Sequence, residues 1–99
     1  MIVTVFRSRI RPENADEFHE VAARMLEIAE SMPGFITYKS FSAADGERCS
    51  VIEFESPEHL QAWRQNPEHQ EAMRIGRERF YLEYSSQIAE PTRGTRFER

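Results

Sequence analysis

Two stretches of this chain alternate as β-strands do, yet each is apolar on both of the faces that the alternation defines. Over residues 2–10, Ile2, Thr4, Phe6, Ser8 and Ile10 fall on one side and Val3, Val5, Arg7 and Arg9 on the other. Between Arg48 and Glu55, Val51 stands opposite Ile52 and Phe54. A strand that is apolar on each face needs cover on each face. The chain has 99 residues, enough for one core only. Its own helices can cover one side of such a sheet, and a second copy of the chain is the simplest cover for the other. A homodimer with face-to-face sheets is therefore expected.

The remaining elements follow from periodicity and breakers. Apolar residues at Phe18, Val21, Ala22, Met25, Ile28, Ala29 and Met32 have the spacing of an amphipathic helix of about five turns from Pro12 to Met32, stopped by Pro33-Gly34. Phe35–Ala43 and Arg48–Glu55 read as a hairpin turned by Asp45-Gly46. Ser56-Pro57-Glu58-His59 and Asn66-Pro67-Glu68-His69 each carry a capping side chain, a proline suited to the first helical position and an acid suited to the positive end of the dipole. One short helix thus ends near Gln65 and another begins at Pro67. Phe80–Ala89 reads as a fourth strand with Phe80, Leu82, Tyr84 and Ile88 on one face. This order predicts an α+β domain over residues 1–90, a ferredoxin-like β-α-β-β-α-β arrangement with a four-stranded antiparallel sheet and its helices on one side. Residues 91–99 form a polar C-terminal tail whose only apolar anchor is Phe97.

Composition narrows the function classes. No apolar run approaches the ~20 residues of a membrane span. Arg7, Arg9 and Arg11 interrupt the first stretch where a signal peptide would need an unbroken apolar segment. Cys49 is the single cysteine, so no intramolecular disulfide can form, and it reads as a small packing residue of a reducing compartment. A cytoplasmic protein with no membrane partner is the expectation. The net charge of −4, with Arg93, Arg96 and Arg99 confined to the tail, provides no basic stripe for nucleic acid.

The chemistry-bearing residues concentrate around the doubled helix start. His59 and His69 fall in first turns, where the helix dipole disfavours an imidazolium and keeps the ring able to accept a proton. On the third helix His69, Ala72, Met73, Gly76 and Phe80 share one side; on the second, Leu60 and Trp63 form the inner pair. The break at Asn66-Pro67 can leave Trp63 and His69 around a shared space. A flat indole wall beside a proton acceptor suits a planar aromatic ligand that must lose a phenolic proton. The plainer reading of the same pair is a core-filling tryptophan and a half-exposed histidine. Tyr38, Tyr81 and Tyr84 are packing residues first and hydrogen-bond donors to a ligand second. Arg77 borders the inner face of the third helix, where a surface ion pair with glutamate is the first expectation and pairing with an anionic ligand the second. No metal or cofactor motif is present: His59 and His69 lack the spacing of a helical zinc pair, and there is no dinucleotide fingerprint.

The strand M-I-V-T-V-F-R-S-R-I-R-P-E, the M-P-G-F of Met32–Phe35 and S-P-E-H-L-Q-A-W-R-Q-N-P-E-H of Ser56–His69 together resemble the antibiotic biosynthesis monooxygenase (ABM) domain family, from Met1 to about Glu90. The resemblance implies a dimeric α+β barrel and, for the best understood members, cofactor-independent oxidation of a phenol or quinol by dioxygen. It casts His69 and Trp63 as catalytic residues and Tyr81 or Tyr84 as the source of a phenol donor; Phe6, Met73, Tyr81, Tyr84 and Arg77 are the expected substrate-binding residues. A second branch of the family degrades haem with a strand asparagine and an iron-binding histidine. This chain carries Phe6 and Met73 at those positions, so haem degradation ranks lower. A non-catalytic dimeric ligand-binding domain is the other alternative.

Overall fold

The computed structural model describes all 99 residues. Its elements are β1 (Ile2–Ile10), a 3₁₀ turn (Pro12–Asn14), α1 (Ala15–Ser31), β2 (Phe35–Ser42), β3 (Arg48–Phe54), α2 (Pro57–Arg64), α3 (Pro67–Ile75), a π-helical turn (Gly76–Phe80) and β4 (Tyr81–Ala89). The sheet order is β2-β3-β1-β4, with every neighbouring pair antiparallel. The doubly apolar strands β1 and β3 are thus the two central ones. The architecture is the ferredoxin-like α+β arrangement expected from the element order, and no helix is long and apolar enough to cross a membrane.

Local chemistry fixes the helix boundaries. Ser56 Oγ accepts the backbone N–H of His59, and Asn66 Oδ1 accepts those of Glu68 and His69, so both short helices begin where their capping side chains stand. The α1–β2 turn depends on Gly34, whose φ is +81°. A Cβ at that position would also come within 2.3 Å of the His59 ring. The His59 ring is anchored from its own side by a 2.7 Å bond between Nδ1 and Ser56 Oγ.

The core lies between the sheet and the helices. Ile2, Ile52 and Phe54 of the sheet pack against Met25, Ile28 and Ala29 of α1 and against Leu60 and Trp63 of α2. Further along the sheet, Phe18 of α1 meets Phe80 edge-to-face at 5.8 Å. Burying a large side chain of this kind stabilises by about 1.5–3 kcal/mol, so this layer supplies the principal driving force for folding. Arg24 pairs with Glu68 across α1 and α3, and Arg79 with Glu17 across the π-turn and α1. These pairs are exposed and screened by solvent, so they add little to stability.

The phase of β4 differs from the sequence expectation. Phe80 closes the π-turn instead of opening the strand. A bulge then breaks the β1–β4 register beside Ile10, which pairs with Tyr81, while Arg9 pairs with Glu83. Leu82 is the extra residue and is 59% exposed. Tyr81 consequently joins Tyr84, Ser86 and Ile88 on the helix-facing side, where simple alternation had put Leu82.

The opposite sheet face carries Val3, Val5 and Val51, none of them exposed, with half-buried Cys49 and exposed Phe41 beside them. No helix of this chain covers it. The residues beyond Ala89 have no regular structure and are exposed.

Candidate functional site

A cavity of about 560 Å³ lies between the helix-facing side of the sheet and the helices. That volume is ordinary for a site that encloses a small organic molecule. Why a cavity persists here is legible in the strand residues. Along β1 the inward positions alternate large and small, Ile2, Thr4, Phe6 and Ser8, and β3 adds Ser50 opposite Phe6. Small hydroxyl residues at inward positions leave space that the helices do not fill.

At one end, Trp63 of α2 and His69 of α3 lie against each other with ring centroids 4.4 Å apart and planes inclined by 68°. Tyr38 of β2 meets the same indole edge-to-face at 5.9 Å. The break at Asn66 brings the two rings together, because it lets α3 turn back so that its first-turn histidine faces the last turn of α2. His69 has its pKa lowered to about 4, first by burial and then by the positive charge of Arg64. At neutral pH it is therefore an uncharged imidazole with a free lone pair. Burial against the cavity wall is the first cause, in addition to the first-turn position expected from the sequence.

Further along, Phe6, Tyr81 and Tyr84 form an aromatic cluster, with Phe6 5.7 Å from Tyr81 and 5.4 Å from Tyr84. Burial pushes the Tyr81 phenol up to about 12 and raises Tyr38 as well. Both remain protonated and able to donate. Gly76 permits this arrangement, since a Cβ there would stand 2.5 Å from the Tyr81 ring.

All seven residues singled out in the sequence, His69, Trp63, Phe6, Met73, Tyr81, Tyr84 and Arg77, line this one cavity. Arg77 is unpaired, because Arg74 takes both Glu71 and Glu78. Its expected surface ion pair does not form. The sequence reading missed Thr4, Ser8, Arg48 and Arg64, which also line the space. For Thr4 and Ser8 the available signal was a hydroxyl at an inward strand position among apolar neighbours. The Thr4 and Ser8 hydroxyls and the Trp63 Nε1–H are buried with no hydrogen-bond partner in the protein. Buried polar atoms left unpaired cost about 1–3 kcal/mol each, so these three, all on residues that line one cavity, call for water or a bound molecule to complete their bonding. No three His, Cys, Asp or Glu side chains gather into a metal-holding group.

Comparison with known proteins agrees with this architecture. A family model described as antibiotic biosynthesis monooxygenase matches residues 1–75. A Bacillus subtilis (strain 168) relative, described as uncharacterized protein YqjZ, is 33% identical over 94 residues, covering 95% of this chain and 82% of that protein. Among solved structures, a putative antibiotic biosynthesis monooxygenase from Deinococcus radiodurans superposes with a TM-score of 0.87 at 9% identity, covering 99% of each chain. Rv0793 from Mycobacterium tuberculosis gives 0.84 at 17% identity over 96% of this chain and 98% of its own. A mutant of SnoaB, a cofactor-independent oxygenase from Streptomyces nogalater, gives 0.80 at 15% identity over 94% of each chain. At these identities the solved structures speak for the fold.

Proposed function

The chain belongs to the antibiotic biosynthesis monooxygenase family, and from that premise we propose that it is a cofactor-independent monooxygenase acting on a small planar phenol or quinol. The observation that carries this reading is the neutral His69 held against Trp63 on a cavity with unpartnered donors. A phenolic substrate lying along the indole gives its proton to His69, and the resulting electron-rich anion passes one electron to dioxygen. The radical pair joins at a ring C–H carbon as a peroxide, which takes back the proton from His69, and loss of water from that CH–OOH centre leaves a carbonyl, so that a quinol becomes a hydroxyquinone. One dioxygen atom then resides in the product and the other in water.

The energetics fit a charged neighbour. A base near 4 facing a phenol near ~10 is uphill by about 8 kcal/mol. Pairing the new phenolate with the imidazolium returns about 4 kcal/mol at contact distance and an effective dielectric of ~20. Arg64, whose charge already depresses His69, lines the same cavity and favours the anion further. Tyr38 and the Trp63 N–H can donate to the developing oxyanion.

The active form is proposed to be a homodimer. A second copy would cover the Val3, Val5, Val51 and Phe41 face that this chain leaves open. Turnover of a quinol under isotopically heavy dioxygen tests the reaction. One heavy atom per product molecule is the expected mass; label absent from a turned-over product would refute oxygen insertion.

A further inference from the structure

The cavity's cations have no counter-charge. Arg7, Arg9, Arg24, Arg74, Arg79 and Arg96 all pair with Asp or Glu. Apart from Arg11 and the tail's Arg93 and Arg99, every arginine without a carboxylate partner lines the cavity: Arg48, Arg64 and Arg77. No Asp or Glu lines it. This asymmetry stands out in a chain whose net charge is −4.

Arg48 is the most informative of the three. It is half-buried, its guanidinium carbon stands 5.1 Å from the Phe18 ring, its charge acts on the Tyr38 and Tyr81 phenols, and it makes no side-chain hydrogen bond. Its cross-strand partner is Ser8, 2% exposed, whose hydroxyl has no partner in the protein. Residues directly opposite on antiparallel strands hold their Cβ atoms about 4.5–5.5 Å apart. A planar guanidinium fork and a hydroxyl on the directly opposite residue, neither with a hydrogen-bond partner in the protein and both from residues lining the cavity, are complementary to a carboxylate.

We propose that Ser8 and Arg48 form an anion subsite and that the cavity's ligand is an aromatic acid, a fused-ring phenol or quinol whose carboxylate is held there while its hydroxyl reaches Trp63 and His69. The inference rests on the planar phenol or quinol reading above and adds the anionic group to it. The length of the space supports two points of attachment. Thr4, at the Ile52 and Tyr38 end, and Ser8 are four residues apart on β1, about 13 Å at ~3.3 Å per residue. A body of two or three fused rings spans that interval, with Phe6 and Tyr84 along its flank.

The chain has one tryptophan, and it lines the cavity, so indole fluorescence reports occupancy. The test titrates the protein with a naphthoate bearing a hydroxyl on the ring remote from the carboxylate, with its carboxamide and with the parent naphthol. The acid is expected to bind at least tenfold more tightly than the amide in the wild type. In Arg48→Met that advantage should vanish while naphthol affinity is unchanged. Equal binding of acid, amide and naphthol by the wild type overturns the anion subsite and leaves the phenol reading standing. If none of the three changes the fluorescence, the phenol reading falls and the subsite with it. Should Arg48→Met fail to fold, Ser8→Ala and Arg48→Lys carry the test. Each should weaken the acid several-fold and spare the naphthol, and unchanged acid binding in both overturns the assignment.

Discussion

Acidification should destabilise this protein through His69, and the size of the effect follows from the cavity. In the unfolded chain the imidazole titrates near 6.5; in the folded state burial and Arg64 hold it near 4. Protonation therefore favours the unfolded chain, so the His69 contribution is complete above about 6.5 and is lost progressively as the pH falls towards 4. At about 1.4 kcal/mol per pH unit the ceiling is ~3 kcal/mol, and partial solvent access to the ring trims this to about 2. For a domain of this size that corresponds to a melting-temperature difference on the order of 10 °C. The groups facing His69 are Trp63 and Arg64 of α2, and no carboxylate lines the cavity to offset the loss. Carboxylates elsewhere titrate in the same range, so the assay compares wild type with His69→Gln. Urea or thermal unfolding is followed from pH 7.5 to pH 4 at one protomer concentration, because any association makes the midpoint concentration-dependent. The wild type should lose about 2 kcal/mol more than the variant across that window. Parallel pH profiles for the two proteins would refute the claim that His69 is held neutral by burial.

Arg64→Gln should raise the His69 pKa from about 4 without restoring 6.5, since burial is the first cause and Arg64 the second; proton NMR of the imidazole against pH measures it, and an unmoved titration would place Arg64 outside the site. Gly34→Ala should cost at least about 1–3 kcal/mol in denaturant unfolding, because the residue sits at φ +81° and its new Cβ would meet the His59 ring. A cost below about 0.5 kcal/mol would show that the turn and the ring relax freely. Trp63→Phe should keep most of the core packing yet weaken naphthol binding, measured by titration calorimetry, by removing the unpartnered Nε1–H; affinity equal to wild type would mean that the donor faces no ligand. Val5→Glu, on the open sheet face, should halve the solution mass if a second copy covers that face, and a mass unchanged by the substitution would argue against that dimer.

The sequence carried the fold through patterns that are local. Strand alternation, the α1 stripe from Phe18 to Met32 and the paired Ser56 and Asn66 caps each depend on neighbours in the chain, and each appears in the structure within a few residues of its expected limits. The phase of β4 was not legible, because the bulge is created by pairing with Ile10 at the far end of the sequence. An alternating pattern cannot announce that Leu82 will be skipped. The gathering of Trp63 and His69 was readable from the helix break, whereas the cause of the depressed His69 basicity lay in burial, a property of the assembled layers. Arg48 and Ser8 escaped notice for a related reason. Forty residues separate them in sequence, and only the β1–β3 register makes them neighbours.

The most direct test of the account is dioxygen uptake by the purified protein on addition of a naphthohydroquinone, measured alongside His69→Gln with the variant's fold checked by circular dichroism. Quinol-dependent uptake by the wild type at one dioxygen per quinol is expected, falling at least a hundredfold in the variant while naphthol still quenches Trp63. Uptake that persists undiminished in folded His69→Gln would contradict it.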